Sequence, residues 1–520
     1  MSLKSDVFGL LDNAQRLCLD CQDGKAFADS LKQLRARLES PLRVAVVGIM
    51  KAGKSTFLNA LMGNDILYTG DLETTYTVCW FRYGKTPALT VCFRNGERLD
   101  APFEDLQKWS VRTYEAENPR IHDVKYLVIH YPSEVLKTME FIDTPGLNSI
   151  YGTDAQNTLD FLSIKGSENT LYEAGMADAV IYAFSHTAMG FDQNILQSFQ
   201  NGASNGMSPI NSVGILTKVD ATGIWNILDE FTPLQTAEAV SDSVIKNAGM
   251  NRLMFTVLPV CAKVCEGFAK LETRDLDTLM KLVTVDSEEL KDLLFDAELF
   301  ATSEDGEYKK LGGAEDRARL MELLGQYGIL EITRQLDDGK TLKEIEEQLQ
   351  ELCGIQAVRD LLLRHFGNRT FLIKTRFVFN YLRNQIAKIR RDGTSSLQLK
   401  SICGQLSENI DRLMASNQTL KELKALQMYY NGRLPFSDEE EKQDFLRITG
   451  EYGRSLEARL GVQNALSVTE LARLAQHKIS IWHERVANGW MVSGAYVEAA
   501  SIIARSYEQI YYHLSALCEE

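Results

Sequence analysis

A glycine-rich loop with one lysine and one serine at its end follows a short apolar run near the start of the chain. The loop has the pattern G-x-x-x-x-G-K-S and comprises Gly48-Ile49-Met50-Lys51-Ala52-Gly53-Lys54-Ser55. It lies between Val44–Val47, which favours a strand, and a helical stretch that begins near Lys54. Because successive backbone N–H groups and the positive end of a helix attract anions, this pattern in this context predicts phosphate binding.

The residue types of the loop predict separate roles. Gly48 and Gly53 permit the tight path and the close approach of phosphate oxygens. The Lys54 ammonium would reach the β- and γ-phosphates of a nucleotide, and the Ser55 hydroxyl would bind Mg²⁺. The nucleotide-binding residues predicted for this region are Gly48, Lys51, Ala52, Gly53, Lys54, Ser55 and Thr56.

A second motif, Asp143-Thr144-Pro145-Gly146, follows the short apolar run Glu140–Ile142. A strand that ends at Asp143 would place its carboxylate beside the phosphate loop, where it could hold Mg²⁺ through water. The Gly146 N–H would then meet the γ-phosphate, and loss of that contact after hydrolysis would release the following segment, residues 147–154, as a switch.

A third motif predicts which base is bound. Thr217-Lys218-Val219-Asp220 follows the apolar run Val213–Leu216. The Asp220 carboxylate can accept hydrogen bonds from both the N1–H and the 2-amino group of guanine, a pair of donors that adenine lacks. With adenine bound, the buried carboxylate would have no partner, which costs binding free energy. Lys218 would lie along the base plane. Later in the chain, the Ala262 N–H would meet guanine O6 beside Lys263, so the predicted ligands are GTP and GDP.

The threonine that completes the metal site has three candidates in Glu73-Thr74-Thr75-Tyr76-Thr77. We favour Thr75 as the second Mg²⁺ ligand and γ-phosphate sensor, with Thr74 next. Thr77 is more typical of the start of the following strand, where β-branched residues are common. The predicted metal ligands are therefore Ser55, Thr75 and Asp143, and the predicted catalytic residues include Lys54, Thr75 and Gly146.

Composition limits the function classes. The chain has 520 residues, enough for about two or three domains, and a net charge of −15, which argues against nucleic acid as a main ligand. An anionic membrane surface would require a local basic patch. The nine cysteines are scattered, as expected of reduced thiols, and the first residues lack the basic and apolar regions of a signal peptide. We expect a cytoplasmic protein that is at most peripheral to the inner face of a membrane.

Proline placement predicts the domain organisation. Nine of the ten prolines lie between Pro41 and Pro259, so long helices are favoured after that point. Eight short apolar runs between residues 44 and 260 alternate with helical stretches and predict an α/β sheet. We predict N-terminal helices over 1–40, a nucleotide-binding domain over 41–368 with a helical insertion near 265–350, and a helical bundle over 369–520. Its long helices are expected at 371–391, 395–430, 439–460 and 469–517.

Together these motifs resemble those of the dynamin superfamily, and in particular bacterial-type dynamin-like GTPases. The resemblance rests on four segments. They are Val44–Gly63, the residues Leu67, Gly70, Thr74, Thr75, Tyr83 and Gly84, the segment Phe141–Ser149, and Ile215–Asp220. It implies an α/β P-loop GTPase domain with a mostly parallel sheet flanked by helices, and a helical bundle built from N- and C-terminal helices. It also implies GTP hydrolysis with Mg²⁺, stimulated when GTPase domains of two copies pair.

The phosphate loop departs from the family at one point. Animal-type dynamins carry Gln-Ser where this chain has Met50-Lys51, and Met50 cannot position water as that polar pair does. Lys51 would supply the positive charge directly and is a further candidate catalytic residue. The alternative is a lysine that is simply exposed to solvent.

Two interpretations of the helical part stay open. The resemblance implies action at a membrane through the bundle, and the alternative is a soluble regulatory GTPase that binds a protein partner. One candidate contact surface is the basic, aromatic-containing stretch from Arg364 to Arg391, and the other is the loop from Tyr429 to Phe436. Basic helices with aromatic residues can lie on anionic lipid, but both segments are also consistent with ordinary packing within a bundle.

Overall fold

The computed structural model describes residues 3–48, 51–63, 66–67, 77–145, 177–185, 209–221, 224–246, 253–430, 432–462, 464–489 and 492–519. The chain divides into two compact units. The sheet unit comprises Arg43–Ala203 and Ser212–Leu361, and the helical unit comprises Met1–Leu42, Ser204–Asn211 and Leu362–Glu520. The predicted domain boundaries after residues 40 and 368 stay a prediction.

The described part of the sheet unit contains a nine-stranded sheet. In chain order the strands are β1 (Leu42–Val47), β2 (Cys79–Tyr83), β3 (Ala88–Phe93), β4 (Arg98–Ala101), β5 (Val124–Tyr131), β6 (Met139–Asp143), β7 (Ala179–Ser185), β8 (Ser212–Thr217) and β9 (Val257–Val260). Their spatial order is β4-β3-β5-β2-β6-β1-β7-β8-β9. Eight of these strands lie at the predicted apolar runs. β4 was not predicted, because it is a short edge strand in which charged residues alternate with Leu99 and Ala101.

The half of the sheet that leads to the phosphate loop is parallel. β1 pairs with β7, β7 with β8, and β8 with β9, all in parallel register. On the other side β2 pairs antiparallel with β6, and β3 pairs antiparallel with both β4 and β5. The carboxyl ends of β1, β7, β8 and β9 therefore meet at one edge, where ligands bind in sheets of this kind.

Helices flank this sheet and follow its last strand. The described helices of the sheet unit are α3 (Lys54–Met62), α4 (Leu106–Ser110), α5 (Pro233–Lys246), α6 (Ala262–Ala269), α7 (Thr273–Leu282), α8 (Ser287–Phe295), α9 (Ala297–Thr302), α10 (Ala314–Asp337), α11 (Leu342–Leu352) and α12 (Ile355–Leu361). The run from α6 to α11 places a largely helical segment after β9. The predicted fold class of this part, an α/β domain with a largely parallel sheet, is confirmed.

The helical unit consists of two N-terminal and seven C-terminal helices within the described residues. They are α1 (Leu3–Leu19), α2 (Lys25–Glu39), α13 (Thr370–Arg391), α14 (Leu397–Ser416), α15 (Gln418–Tyr430), α16 (Glu439–Ile448), α17 (Leu456–Leu460), α18 (Val468–Asn488) and α19 (Gly494–Glu519). A short π-helical turn, Leu362–Gly367, precedes α13.

Three of the four predicted long helices are wrong in length, because each is divided in two. Single polar residues cap the second half at each break. The Asn417 side chain accepts the Thr419 N–H at 3.0 Å, Ser455 Oγ accepts the Ala458 N–H at 3.2 Å, and Ser493 Oγ accepts the Tyr496 N–H at 3.1 Å. Such side chains satisfy amides that a helix start leaves unpaired, so a helix can begin there without proline.

The N-terminal helices belong to the same bundle as the C-terminal ones, as predicted. Lys374 of α13 is buried, and its Nζ donates to the carbonyl oxygens of Arg37 at 2.9 Å and Pro41 at 2.8 Å. These acceptors lie at the end of α2, where carbonyl groups lack helical partners. The Asp23 carboxylate, between α1 and α2, accepts the Ser396 N–H at 2.7 Å at the start of α14.

Candidate nucleotide site

The phosphate loop leaves β1 after Val47 and enters α3 at Lys54. Gly48 has φ of 159°, and a Cβ at this position would lie 2.1 Å from the carbonyl oxygen of Ala183. Gly53, which immediately precedes α3, has φ of 76°. The first position therefore has no room for a side chain, and the second uses the left-handed conformation that glycine adopts without strain.

The two lysines of the loop lie in different environments. Lys51 is exposed and has φ of 60°, a conformation that side-chain-bearing residues adopt rarely. Lys54 is buried, and its Nζ donates to the Gly48 carbonyl oxygen at 3.4 Å. Its ammonium group therefore folds back over the loop, where phosphate oxygens would lie. Thr56 follows on the first turn of α3.

Ser55 and Asp143 meet at the carboxyl end of β6. Ser55 Oγ donates to Asp143 Oδ2 at 2.9 Å. Asp143 is fully buried, and burial raises the pKa of its carboxyl group to about 6, against the opposing effects of the Lys54 charge, the Ser55 hydroxyl and the Thr144 N–H. A carboxylate held at this depth is stabilised by positive charge placed beside it.

The same two side chains have the chemistry of a magnesium site. Asp143 Oδ1 is buried and has no hydrogen-bond partner among the described residues. Mg²⁺ prefers oxygen ligands, and one carboxylate beside one hydroxyl at a phosphate loop is a common set. The orphaned oxygen beside the Ser55 hydroxyl thus fits a cation bound together with phosphate.

Two threonine hydroxyls tie the loop region to the sheet. Thr217 Oγ1 lies 2.8 Å from the Ala52 carbonyl oxygen and 3.0 Å from that of Phe184. Thr144 Oγ1 donates to the Val46 carbonyl oxygen at 2.9 Å. Both threonines are buried. Thr217, which was predicted to bind nucleotide, contacts the loop itself through its hydroxyl, and no sequence pattern indicated the Thr144 contact.

The predicted base-selecting residues lie beyond the end of β8. Lys218 is exposed and has φ of 57°. Burial raises the pKa of the Asp220 carboxyl group, while the positive charges of Lys263 and Lys218 oppose that shift. Ala262 is buried at the start of α6, and Lys263 next to it is exposed. The structure thus brings Asp220 near the two lysines that were predicted to flank the base.

A buried asparagine of α3 that sequence analysis passed over holds the beginning of the next loop. Asn59 Oδ1 accepts the N–H groups of Ile66 at 3.1 Å and Leu67 at 2.8 Å. Its Nδ2 donates to the Leu67 carbonyl oxygen at 2.8 Å and to Glu266 Oε1, on α6, at 2.9 Å. The signal was a lone polar residue in the apolar stretch from Phe57 to Met62. Asn59 therefore connects α3, the helix that follows the phosphate loop, with α6, the helix that begins at Ala262.

Some predicted residues cannot be placed. Thr74, Thr75 and Gly146 lie outside the described residues, as do Ile49 and Met50 of the phosphate loop. Thr77 is described, and it is buried just before β2. Of the predicted metal ligands, the structure therefore brings Ser55 and Asp143 together, and the role of Thr75 stays a prediction.

A family model described as the Dynamin family matches residues 44–218. That range begins in β1 and contains the phosphate loop, Asp143 and Thr217. The predicted resemblance to the dynamin superfamily is therefore confirmed over these residues. Asp220 and Ala262, the residues predicted to select the base, lie beyond the matched range.

Bacterial proteins are among the relatives of this chain. The isoniazid-induced protein IniC of Mycobacterium tuberculosis strain H37Rv is 26% identical over 468 residues, which cover 90% of this chain and 89% of IniC. The bacterial dynamin-like protein of Nostoc punctiforme is 37% identical over 128 residues, covering 22% of this chain and 18% of that protein. The similarity to IniC is therefore extensive enough to include both units.

A solved structure described as "An oligomerised bacterial dynamin pair provides a mechanism for the long range sensing and tethering of membranes" aligns with 100% of this chain and 75% of its own. The sequence identity is 16% and the TM-score is 0.31. A score at this level does not establish a common overall fold. The assignment to the dynamin superfamily therefore depends on the sequence matches.

Proposed function

We propose that this dynamin-superfamily protein binds GTP and GDP together with Mg²⁺ and hydrolyses GTP to GDP and phosphate. The observation that carries the proposal is the contact between half-buried Ser55 Oγ and buried Asp143 Oδ2, 2.9 Å apart, beside the ammonium group of Lys54. A carboxylate, a hydroxyl and an ammonium group at the start of a helix are the groups that bind a metal–phosphate complex in phosphate-loop proteins.

The residues around the phosphates would have two roles, which are binding and neutralisation of charge. The amides of the loop from Gly48 to Ser55 and the Lys54 ammonium would hold the phosphates. Ser55 and Asp143 would hold Mg²⁺, which supplies positive charge at the phosphate oxygens, and Thr75 would complete the metal site. Gly146 would contact the γ-phosphate, and Lys51 at the surface of the loop would add charge during hydrolysis.

The residues of the base side would make the protein selective for guanine. Asp220 would accept both guanine donors, Lys218 would lie along the base, and the Ala262 N–H would meet O6 with Lys263 beside it. Because burial raises the pKa of Asp220, an unpaired carboxylate there is unfavourable, and a base that supplies two donors relieves that cost.

Calorimetry with two lysine variants tests the site. Lys54→Ala should weaken Mg²⁺-dependent GDP binding by about a hundredfold or more, because a buried phosphate contact of this kind is charge-assisted. Lys85→Ala, which removes an exposed lysine from the same unit, should bind GDP like the wild type. Unaltered GTP affinity in the Lys54 variant would overturn the site assignment, and equal binding of ATP by the wild type would overturn the guanine selectivity.

We infer from the family resemblance that copies of the protein associate through their GTPase domains when nucleotide is bound. Turnover per molecule should then rise with protein concentration. A specific rate that is constant over a hundredfold range of concentration would exclude activation by self-association. Lys51→Ala should lower the rate of the associated form if Lys51 supplies catalytic charge, and an unchanged rate would remove it from the mechanism.

We also propose that this cytoplasmic protein acts at an anionic membrane surface. The described residues show which of the predicted contact segments are free to meet lipid. The aromatic residues Phe377, Phe379 and Tyr381 of α13 are buried, and Lys374, one turn before Phe377, donates to a carbonyl oxygen at the end of α2. The loop after α15 is packed as well, since Leu434 is buried and the Phe436 ring lies 5.1 Å from that of Phe445. No helix among the described residues has both the length and the apolarity needed to cross a bilayer.

These contacts favour the second candidate, a regulatory GTPase that binds a protein partner, over lipid binding through either of those two segments. Co-sedimentation with anionic liposomes separates the candidates, in the presence of GDP and of a non-hydrolysable GTP analogue. Binding in either state supports membrane action. Absence of binding in both states would overturn it and leave the partner-binding candidate.

A further inference from the structure

Helix α10, in the segment that follows β9, is interrupted at Gly325. This residue has φ of 66° and ψ of 179°, a non-helical conformation between two helical stretches. Residues with side chains almost never adopt this combination, so the kink depends on glycine. Strain of this kind persists where the surrounding structure holds it in place.

Contacts on both sides of the kink hold α10 against α6. Before the kink, the α6 backbone approaches so closely that a Cβ on Gly267 would lie 2.0 Å from the Leu323 carbonyl oxygen. After the kink, a Cβ on Gly328 would lie 3.0 Å from a Val264 side-chain carbon. Helix α6 begins at Ala262, which is a proposed base-binding residue. The kink is therefore fixed relative to the start of that helix.

Two further contacts fix the residues immediately after Gly325. Gln326 Nε2 donates to the Leu294 carbonyl oxygen at 2.7 Å, at the end of α8. The Tyr327 ring meets the Trp225 ring edge-on at 5.4 Å. Trp225 follows Asp220 by a few residues in the chain. The kink is thus held from α6, from α8 and from the segment that leaves the base site.

Gly325 faces the carboxylate that is proposed to select the base. A Cβ built on Gly325 would lie 3.9 Å from Asp220 Oδ2, the nearest described atom it would meet outside its own helix. The space beside this oxygen is the space that the donor edge of guanine must enter if Asp220 accepts N1–H and the 2-amino group. We propose that Gly325 forms one wall of the guanine subsite and is a specificity-determining residue, because its missing side chain leaves room for the base.

This inference rests on the proposed function. It makes binding of the base depend on α10, a helix that lies about a hundred residues after the Thr217–Asp220 motif. Gly325→Ala would add a methyl group beside the carboxylate. A methyl group in a close-fitting pocket changes discrimination by about ten- to two-hundredfold. We expect GDP to bind at least about tenfold more weakly and KM for GTP to rise to a similar extent, while kcat stays unchanged because the phosphate side is untouched.

Gly339→Ala is a matched control within the same unit. Gly339 has φ of 78°, and a Cβ there would meet no atom within 4 Å. Both substitutions therefore impose backbone strain, but only the one at position 325 places a methyl group beside Asp220. Gly339→Ala should also lower the thermal midpoint of the nucleotide-free protein and should change GDP affinity less than twofold.

A ligand without a base distinguishes a blocked subsite from a distorted loop. Tripolyphosphate should compete equally well in the wild type and in Gly325→Ala. An equal loss of tripolyphosphate and GDP, or an unchanged GDP affinity in Gly325→Ala, would overturn the proposal. A wild-type protein that binds no GDP would instead overturn the proposed function itself, so the two failures can be told apart.

Gln326→Ala keeps the idea testable if Gly325→Ala does not fold. It removes the contact with Leu294 and allows the kink to move, which should weaken GDP binding by about fivefold, the value of one hydrogen bond of about 1 kcal/mol. Tripolyphosphate binding should be unchanged. GDP affinity equal to that of the wild type in this variant would also overturn the proposal.

Discussion

The Thr217 hydroxyl lies 2.8 Å from the Ala52 carbonyl oxygen and so connects the end of β8 to the middle of the phosphate loop. It also lies 3.0 Å from the Phe184 carbonyl oxygen, at the end of β7. The hydroxyl has one proton, so it donates to one oxygen at a time. Two parallel strands and the loop therefore share a single polar contact at the edge of the sheet.

Thr217→Val should weaken GDP binding and destabilise the protein by about 1–3 kcal/mol, because it leaves buried carbonyl oxygens without a donor. Thr217→Ser, which keeps the hydroxyl, should restore most of the affinity. Equilibrium titration with a fluorescent GDP analogue measures both effects. Thr90→Val is the control, since the Thr90 hydroxyl bonds Asp100 on exposed strand β4. Similar GDP affinities in the Thr217 and Thr90 valine variants would contradict the role given to Thr217.

The helical unit should lose stability in acid through one buried carboxylate. Burial of Glu451 raises its pKa, but the charge and hydrogen bond of His365, with Arg369, outweigh burial and lower the pKa from its usual 4.5 to about 2. Burial also lowers the pKa of His365 itself, so at neutral pH the positive charge beside Glu451 is that of Arg369. The His365 Nδ1 lies 3.0 Å from Glu451 Oε2, and Arg369 Nη1 donates to the same oxygen. The remaining imidazole nitrogen faces the Pro209 carbonyl oxygen at 2.8 Å.

Because this carboxyl group is more acidic in the folded protein than in the unfolded chain, its contribution is present above about pH 4.5 and is lost as the pH falls toward 2. Glu451→Gln should cost about 3 kcal/mol at pH 7, since it leaves buried positive charge without a partner. It should also flatten the dependence of the thermal midpoint on pH between 5 and 3, as measured by circular dichroism. Glu457→Gln, at an exposed position, should leave that dependence intact. A slope in Glu451→Gln equal to that of the wild type would be evidence against this carboxylate as the source.

Local pattern was sufficient to predict eight of the nine described strands and the phosphate loop, because a run such as Val44–Val47 followed by Gly48 to Ser55 has few alternative structures. The helix breaks were missed because one side chain, such as Asn417, ends a helix without changing the apolar period around it. Contacts between residues distant in sequence were not predictable from either signal. Asn59 with Glu266, and Gly325 with Asp220, become neighbours only after α6 and α10 have packed.

A buried arginine holds the connection between α9 and α10 in the sheet unit. Arg317 Nε donates to the Phe300 carbonyl oxygen at 2.8 Å and Nη1 to that of Tyr308 at 2.9 Å, and the guanidinium also bonds the carbonyl oxygens of Ser303 and Gly312. Burial lowers the pKa of this guanidinium, which still carries its charge at neutral pH. The connection therefore depends on one side chain rather than on a core of its own.

Arg317→Met should free these carbonyl oxygens and destabilise the segment by at least about 2 kcal/mol, so that the backbone at the exposed residues Lys309 and Lys310 opens more often to trypsin. Limited proteolysis followed by mass spectrometry should show cleavage there about tenfold faster than in the wild type. Arg274→Met removes an exposed arginine whose ion pair with Glu272 contributes less than about 1 kcal/mol, so it should be cleaved at the wild-type rate. Equal cleavage of both variants would show that Arg317 does not hold the connection.

The last prediction concerns Asn59, whose amide uses both its donor and its acceptor capacity. Asn59→Asp keeps the acceptor for the Leu67 N–H but places a carboxylate oxygen where Nδ2 lay 2.9 Å from Glu266 Oε1. We expect this variant to lose more GDP affinity than Asn59→Ala, because two carboxylates repel at this distance. Hydrogen exchange at Leu67 should accelerate in both variants.

A compensating change at Glu266 separates this contact from a general loss of stability. Glu266→Gln supplies an amide that can donate to a carboxylate at position 59, so the double variant Asn59→Asp/Glu266→Gln should recover part of the affinity that Asn59→Asp loses. The interaction energy from the four proteins should be favourable by about 1–2 kcal/mol, within the range for residues that share a hydrogen bond. Additive losses would mean that Asn59 and Glu266 act independently, and the link between α3 and α6 would then have no part in nucleotide binding.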